Sequence, residues 1–298
     1  EKSAQAVWFV CLFLLSALTM VAFAANSILT RVALVDGSID VISFGALRLG
    51  AGAAILVALC LWFGKRAQLF SAQRVISIFG LLLYIAGFTA AYVGMDAGLG
   101  ALLLFCTVQV TMFIGAAMMR EALPALRVVG AAIAMAGLVY LVWPWQAIAQ
   151  SQINIVMMVL AGIGWGVYSL AGKGSTNALA DTAVNFVGAA LVFPLLMWAM
   201  VSEPQIIVTP RGAGLAVISG AVTSGLGYAL WYAILPRLGA SIGAVAQLTV
   251  PPIAMAAGVT LLGEDLTTKA MISTIIVLGG VALSILGPVY LVKRSKAS

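Results

Sequence analysis

Residues 75–95 read VISIFGLLLYIAGFTAAYVGM and carry no charged side chain, whereas Arg74 precedes them and Asp96 follows them. An α-helix rises 1.5 Å per residue, so about 20 apolar residues cross the roughly 30 Å hydrocarbon core of a bilayer. Membrane β-strands instead alternate apolar and polar residues over about 10 positions, and this stretch shows no such alternation. Because only helices and closed barrels satisfy every backbone group in lipid, the stretch predicts a transmembrane helix.

Stretches of this kind recur ten times along the chain, and charge is confined almost wholly to the gaps between them. They cover residues 7–30, 41–63, 75–95, 98–119, 125–143, 152–172, 181–201, 212–235, 241–262 and 268–292. Charged residues make up 8% of the chain and hydrophobic residues 63%, whereas soluble domains carry about 25% charged residues. The pattern predicts an all-α membrane protein with ten transmembrane helices.

The distribution of lysine and arginine predicts how these helices are oriented. If alternate gaps face opposite sides, one side holds Lys2, Lys65, Arg66, Arg74, Arg120, Arg127, Lys173, Arg237, Lys293, Arg294 and Lys296. The other side holds Arg31, Arg211 and Lys269, and Arg48 is the one cation that lies well inside a span rather than in a gap or at a span end. Cytoplasmic loops are enriched in these residues, so we expect an inner-membrane protein with both termini in the cytoplasm. Nucleic acid is not an expected partner, because the cations are scattered over short loops and form no single face.

The second half of the chain repeats the first. A shift of 143 positions aligns Glu121 with Glu264 and Gly137 with Gly280, and a shift of 142 brings Arg31 onto Lys173. These offsets predict two five-helix repeats, residues 1–147 and 148–298. Because five is odd, the second repeat enters the membrane from the opposite side. Inverted repeats are typical of secondary transporters, whose substrate site lies near the midplane between the halves.

The sequence also resembles a known family. Residues 227–241 read GYALWYAILPRLGAS, and QLTVP at 247–251 and a Gly-Glu pair at 263–264 follow. Together with Arg120-Glu121 in the first half, these residues resemble the drug/metabolite transporter superfamily, EamA type. The resemblance implies ten helices, cytoplasmic termini and export of amino acids or related metabolites. It also implies that the first, third, fourth, sixth, eighth and ninth helices line a central cavity, and that the fifth and tenth are peripheral.

Polar and helix-breaking residues inside spans are the first candidates for a substrate site. Asn26, Gln109 and Gln247 could hydrogen-bond substrate, or they could join neighbouring helices. Pro251 and the proline after it interrupt the ninth span, either as a simple kink or as a broken helix that lines the cavity.

Aromatic side chains in mid-span are the second group of candidates. They are Tyr84, Trp165, Tyr168, Tyr228 and Trp231. Such rings offer broad, weakly selective contact to apolar or aromatic solutes, although they also pack between helices. Arg48 could meet a substrate carboxylate, but its place about 10 Å from the start of its span favours snorkelling, or bonds to loop carbonyls, at the outer face.

The acidic residues bear on energy coupling and on the class of protein. All of them fall in loops or at span ends, with Asp96 the one that could lie deeper, and the chain has no histidine. Proton-coupled carriers need a titratable group at membrane depth, so we expect a facilitative exporter. We expect it to work by alternating access, with a small-molecule substrate and the membrane lipid as its partners. A proton-coupled drug or metabolite efflux carrier is the alternative. An intramembrane enzyme would need a metal or catalytic-base cluster, so we expect no enzyme, metal or cofactor.

Overall fold

Helices make up almost all of the computed structural model, which describes residues 2–66, 71–94, 97–142, 152–200, 205–262 and 267–295. The helices are α1 (Lys2–Val35), α2 (Val41–Trp62), α3 (Ala72–Tyr92), α4 (Ala97–Met118), α5 (Ala125–Val142), α6 (Gln152–Gly172), α7 (Ala178–Met200), α8 (Pro210–Ile218), α9 (Gly227–Leu238), α10 (Ala240–Gln247), α11 (Val250–Leu262) and α12 (Thr268–Ser295). A π-helical segment, Ser219–Leu226, joins α8 to α9.

These helices confirm the predicted spans, and the observed and predicted ends agree to within five residues. Eight helical stretches within the described residues are long and apolar enough to cross a membrane, and Leu103–Met118 and Ala125–Tyr140 are two shorter apolar helices. In this count of eight, α8, the π-helical segment and α9 form one continuous helical stretch, Pro210–Leu238. The fold is that of an all-α membrane protein of about ten helices.

Polar residues cap the starts of several of these apolar helices. Asp40 begins α2, Ser71 begins α3 and Thr209 begins α8, and each side chain accepts a backbone N–H from the first turn, at 2.9, 3.1 and 3.1 Å respectively. Pro210 follows as the first residue of α8, where its missing N–H costs nothing. The caps satisfy backbone donors that would otherwise be exposed to the edge of the bilayer.

Glycines allow neighbouring helices to pack closely. A side chain at Gly80 of α3 would collide with the backbone of Gly164 on α6, and one at Gly87 would collide with the carbonyl of Met157. Residue numbers rise along α3 as they fall along α6, so the two helices are antiparallel. Close approach of this kind supplies the packing that holds membrane helices together in lipid.

Two of the predicted spans are irregular. In the eighth, the π-helical segment widens the backbone between residues 219 and 226, a distortion that is frequent at functional sites. In the ninth, the helix breaks at Leu248 and Thr249, and α11 resumes at Val250, immediately before Pro251. The ninth span is therefore interrupted by a short turn immediately before its two prolines.

Candidate functional site

Aromatic rings from four helices meet near the middle of the bundle. The ring centroid of Trp165 on α6 lies 4.6 Å from that of Tyr228 on α9 and 5.0 Å from that of Tyr84 on α3. Phe23 of α1 closes the group at 5.0 Å, and Tyr168 stacks on Trp165 at 5.5 Å. The structure thus brings four of the sequence-predicted site residues into one cluster with Phe23, which we call the central aromatic cluster.

Trp231 joins this cluster from α9. Its ring centroid lies 5.7 Å from that of Phe23, and its indole Nε1 donates a hydrogen bond of 3.0 Å to Ser169. The side chain is fully buried, so its position is set both by packing and by that bond.

Asn26 of α1 lies beside the central aromatic cluster and is a hub of hydrogen bonds. Its amide nitrogen donates to the hydroxyls of Tyr84 and Tyr228, at 3.4 and 3.3 Å. Its carbonyl oxygen accepts from Ser219 at 2.5 Å and from Thr223 at 3.2 Å, both in the π-helical segment. Asn26 therefore ties together α1, α3, α9 and the irregular part of the eighth span.

Arg48 corrects the sequence-based interpretation. Its side chain is fully buried, and the guanidinium reaches away from the end of α2 toward the two tyrosine hydroxyls. Nη2 donates to Tyr228 at 2.7 Å and to Tyr84 at 3.3 Å, and Nε donates to Ser224 at 2.9 Å. The expectation that Arg48 snorkels to the outer face is wrong, because these hydroxyls offer partners inside the protein.

Gln247 of α10 supports Trp165. Its amide oxygen accepts a short hydrogen bond from the indole Nε1 of Trp165, and its amide nitrogen lies 3.1 Å from the sulfur of Met112 on α4. In this state both ends of the amide contact neighbouring helices. Gln247 thus fixes the orientation of a ring in the central aromatic cluster.

The remaining two predicted residues have no polar contact with this cluster. Gln109 of α4 is buried, and neither amide atom has a hydrogen-bond partner in the described residues. Pro251 is buried at the start of α11, where it follows the break in the ninth span. Both amide atoms of Gln109 could therefore hydrogen-bond to a solute, whereas Pro251 affects the helix by lacking a backbone N–H donor.

The cavity beside the central aromatic cluster is small in the part of the chain that the structure describes. A cavity of about 10 Å³ is lined by Phe23, Ser27, Tyr84, Leu104, Phe105 and Trp165. This space is about that of one water molecule. Among the described residues, the space beside the central aromatic cluster is therefore too small for an amino acid.

Polar contacts close the end of the bundle that holds most of the cations. Glu121, between α4 and α5, accepts hydrogen bonds from Lys173 at 2.7 Å, from the N–H groups of Ala240 and Ser241 at 2.9 and 3.0 Å, and from the Ser241 hydroxyl at 2.5 Å. We call these four residues the Glu121 clasp. Arg74 and Asp181 form a second ion pair at this end, at 2.6 Å.

The electrostatics of the clasp favour the carboxylate. Burial by itself raises the pKa of Glu121, but the hydrogen bonds from Lys173, Ser241 and Ala240 outweigh it and lower that pKa from 4.5 to about 2. The two N–H groups belong to the first turn of α10, where the helix dipole also favours negative charge. Glu121 is therefore ionised throughout the physiological pH range.

The opposite end is closed by backbone pairing between two loops. Ile39 and Val208 form an antiparallel bridge, and Asp40 accepts from the N–H of Ile207 at 2.8 Å. Arg211 and Asp36 add an ion pair of 3.0 Å that is largely exposed. Both ends are thus held at once in this structure.

A polar cavity opens beneath the cation-rich end. It has a volume of about 320 Å³ and is lined by Arg66, Ser71, Gln73, Arg74, Ser77, Ala171, Gly174, Ser175, Thr176, Asn177, Asp181 and Tyr232. Tyr232 separates it from the central aromatic cluster, since its ring centroid lies 4.6 Å from that of Tyr168. The cavity is a vestibule that leads toward the centre from one side.

Sequence reasoning missed several residues of this site. Ser219, Thr223 and Ser224 were not singled out, because serine and threonine are common in membrane helices and usually bond to their own backbone. Arg48 was singled out as the one charge inside a span but assigned to the wrong surroundings. Asp96 and Glu264 lie outside the described residues.

Comparisons with known proteins agree with this architecture. Residues 152–286 match the model of the EamA-like transporter family. A solved crystal structure superposes with a TM-score of 0.74 over 90% of this chain and 98% of its own, and at 19% identity that likeness concerns the fold alone.

Three curated relatives are similar over most of their length. An uncharacterised protein of Pseudomonas aeruginosa is 42% identical over 275 residues, which are 92% of this chain and 94% of that protein. A probable amino-acid metabolite efflux pump of Salmonella typhimurium is 28% identical over 67% of this chain and 71% of its own length. An uncharacterised transporter of Archaeoglobus fulgidus is 26% identical over 76% of this chain and 82% of its own length.

Proposed function

Because this chain belongs to the EamA-like transporter family, we propose that it exports amino acids or similar small metabolites across the inner membrane. Export proceeds by alternating access and is not coupled to protons. The observation that carries the proposal is the buried polar and aromatic site at mid-bundle, to which both halves of the chain contribute. Phe23, Asn26 and Tyr84 come from the first half, and Trp165 and Tyr228 come from the second.

This chemistry suits amino acids. The rings accept an apolar or aromatic side chain, and they also attract an ammonium group through cation–π contact. Asn26 and its tyrosine partners provide donors and acceptors that exchange readily with those of a polar solute. The probable efflux pump of Salmonella typhimurium supports the same class of substrate.

Alternating access is supported by how the two ends are closed. The Glu121 clasp joins the loop after α4 to Lys173 at the end of α6 and to the start of α10. The bridge between Ile39 and Val208 joins the first half to the second at the opposite end. Each closure is a small set of polar contacts between the halves, so one end can open while the other stays held.

The inverted repeat is supported by the pairing of α5 with α12. Gly130 packs against Gly280, and the hydroxyl of Ser273 donates to the carbonyl of Gly137 at 2.6 Å. A shift of 143 positions takes Gly130 to Ser273 and Gly137 to Gly280, so it exchanges the two contacts. This is the relationship expected between repeats related by a two-fold axis in the membrane plane.

Uncoupled transport is supported by the acidic residues that the structure describes. Asp36 and Asp40 lie at one end of the bundle, and Asp181 and Glu121 lie at the other. None of these four is in contact with the central aromatic cluster. A proton carrier would place such a group at membrane depth.

Efflux from proteoliposomes tests the proposal. Purified protein is reconstituted with radiolabelled L-phenylalanine, L-leucine, L-threonine or L-lysine inside, and protein-free liposomes serve as the control. We expect efflux of one or more of these solutes that persists when valinomycin and a protonophore collapse the membrane potential and the pH gradient. Efflux that stops with the pH gradient would contradict uncoupled transport and favour the proton-coupled carrier. No efflux of any of the four would contradict amino-acid export.

A further inference from the structure

Arg48 is a buried cation without a counter-charge. Its side chain has no exposed surface, and its three hydrogen bonds all go to neutral hydroxyls. The nitrogen Nη1 has no hydrogen-bond partner among the described residues. In the described residues no carboxylate lies within ion-pair distance of the guanidinium.

The described side chains that contact Arg48, and Asn26 beside them, are neutral. Asn26 of α1, Tyr84 of α3, Ser224 of the π-helical segment and Tyr228 of α9 supply hydroxyls and an amide. The rings of Tyr84 and Phe88 lie 5.5 Å from Cζ and stack against the guanidinium. These contacts hold the side chain in place, but they do not balance its charge.

The acidic residues nearest to Arg48 in the sequence, Asp40 and Asp36, are engaged elsewhere. Asp40 lies eight positions before Arg48, about 12 Å along the helix axis. Its carboxylate accepts hydrogen bonds from the N–H of Ser43, which caps α2, and from the N–H of Ile207. Asp36 pairs with Arg211 at the same end of the bundle. Neither carboxylate is available to Arg48 without opening that end.

An unbalanced charge at this depth needs a functional reason. Arginine keeps its proton when buried, and leaving it without a counter-ion in the bilayer is costly. Its planar fork matches a carboxylate, which can accept two parallel N–H bonds. In this structure one arm of the fork is held by tyrosine hydroxyls, and the other arm, Nη1, has no partner within the described ranges.

We propose that Arg48 binds the carboxylate of the transported solute, which restricts the substrates to small carboxylates with an apolar or aromatic body. This proposal rests on the transport function proposed above and names its substrate class. Nη1 donates one bond to the carboxylate, and Nη2 donates a second by giving up its longer contact with Tyr84. Tyr84 also lines the small central cavity, so its movement couples carboxylate binding to opening of the site.

Ligand binding to the purified protein tests this assignment without requiring transport. Three probes share the aromatic body. L-Phenylalanine carries both the amine and the carboxylate, 3-phenylpropionate lacks the amine, and L-phenylalaninamide has an amide in place of the carboxylate. L-Leucine and L-leucinamide form an aliphatic pair. Quenching of tryptophan fluorescence reports binding next to Trp165, and thermal stability in detergent gives a second readout. We expect the carboxylates to bind wild type about tenfold to a hundredfold more tightly than the matching amides.

Variants separate a binding role from a structural one. Arg48→Gln should lower carboxylate affinity to that of the amide, because glutamine can bond to either group. Arg48→Lys should keep part of the preference, since it retains the charge but not the fork. Arg211→Gln, which removes an exposed arginine at the end of the bundle, is the matched control and should keep the wild-type preference.

The outcomes distinguish this proposal from the transport function. Equal binding of acid and amide by wild type, no binding of either, or an unchanged preference in Arg48→Gln would each overturn the carboxylate assignment. If Arg48→Gln does not fold, the wild-type comparison and Arg48→Lys decide the matter. Arg48-dependent binding without efflux from liposomes would instead overturn transport and leave the carboxylate site standing.

Discussion

The ammonium of Lys173 and the carboxylate of Glu121 lie 2.7 Å apart and join the end of α6 to the loop between α4 and α5. The same carboxylate accepts two N–H groups at the start of α10. One side chain thereby connects the end of α4, in the first half of the sequence, to α6 and α10, in the second half. Weakening this clasp should open the cation-rich end.

We expect Glu121→Gln to shift the protein toward a state that is open at the cation-rich end. The glutamine amide can still accept a hydrogen bond but loses the ionic attraction to Lys173. Because the pair is partly exposed, the shift should be modest, about threefold to tenfold in the equilibrium, or roughly 0.6–1.4 kcal/mol. A cysteine at Ser27, which lines the central cavity, should react faster with a maleimide added from that side.

Asp36→Asn is the control for this experiment, since it removes the ion pair with Arg211 at the opposite end. It should leave the reactivity from the cation-rich side unchanged. Equal reactivity of Ser27→Cys with and without the Glu121 change would show that the clasp does not gate this end.

The clasp should not respond to pH in the physiological range. A carboxylate whose folded pKa is lowered adds stability above its unfolded pKa and loses it as pH falls through the folded value. For Glu121 the loss begins near the ordinary value of 4.5 and is complete near 2. The difference in thermal stability between wild type and Glu121→Gln should therefore be constant from about pH 5 to pH 8 and shrink in more acidic buffer. A difference that changes between neutral pH and pH 5 would place the pKa of Glu121 much higher than the structure indicates.

Loss of the central indole should impair transport without unfolding the protein. Trp165→Ala removes a ring that contacts Phe23, Tyr84 and Tyr228 and also removes the partner of Gln247. We expect about a tenfold fall in the efflux rate, since one lost hydrogen bond costs roughly 0.5–1.5 kcal/mol, or about twofold to tenfold, and the ring contacts are lost as well. Trp165→Phe keeps most of the packing and loses only the N–H donor, so it should have an intermediate rate.

Trp198→Ala is the matched control, because Trp198 on α7 is half exposed on the outside of the bundle. It should transport at close to the wild-type rate. If Trp165→Ala also does so while remaining monodisperse, the central aromatic cluster is a packing core and not a substrate site.

Cysteine labelling in whole cells tests the orientation. In a background with Cys11, Cys60 and Cys106 replaced by serine, single cysteines are placed at Thr176 and Val208, which are exposed at opposite ends. The excess of lysine and arginine predicts that Thr176→Cys is cytoplasmic and Val208→Cys is external. Only Val208→Cys should react with an impermeant maleimide, and the reverse result would invert the assignment of both termini.

Hydrophobic length decided the spans from sequence alone, because a stretch of apolar residues needs no knowledge of its neighbours to require a bilayer. That is why 152–172 was predicted to the residue and the other spans nearly so. Local signals failed where a span is irregular, because no residue in Ser219–Leu226 predicts a π-helix. This segment packs against Arg48 and Asn26, residues that are far from it in the sequence.

The candidate site was partly predictable, because polar and aromatic residues in mid-span tend to face inward. Sequence alone could not tell that Gln247 bonds to Trp165 while Gln109 has no partner in the described residues, since both are glutamines inside apolar spans.

By itself the sequence determined that this is a membrane protein of about ten helices and predicted that its cations crowd toward one side, since hydrophobic length and charge placement are properties of each segment taken singly. Tertiary structure alone decided where Arg48 points. The depth of its backbone suggested the outer face, but a long side chain follows its hydrogen-bond partners, and those partners are hydroxyls brought from three other segments of the chain.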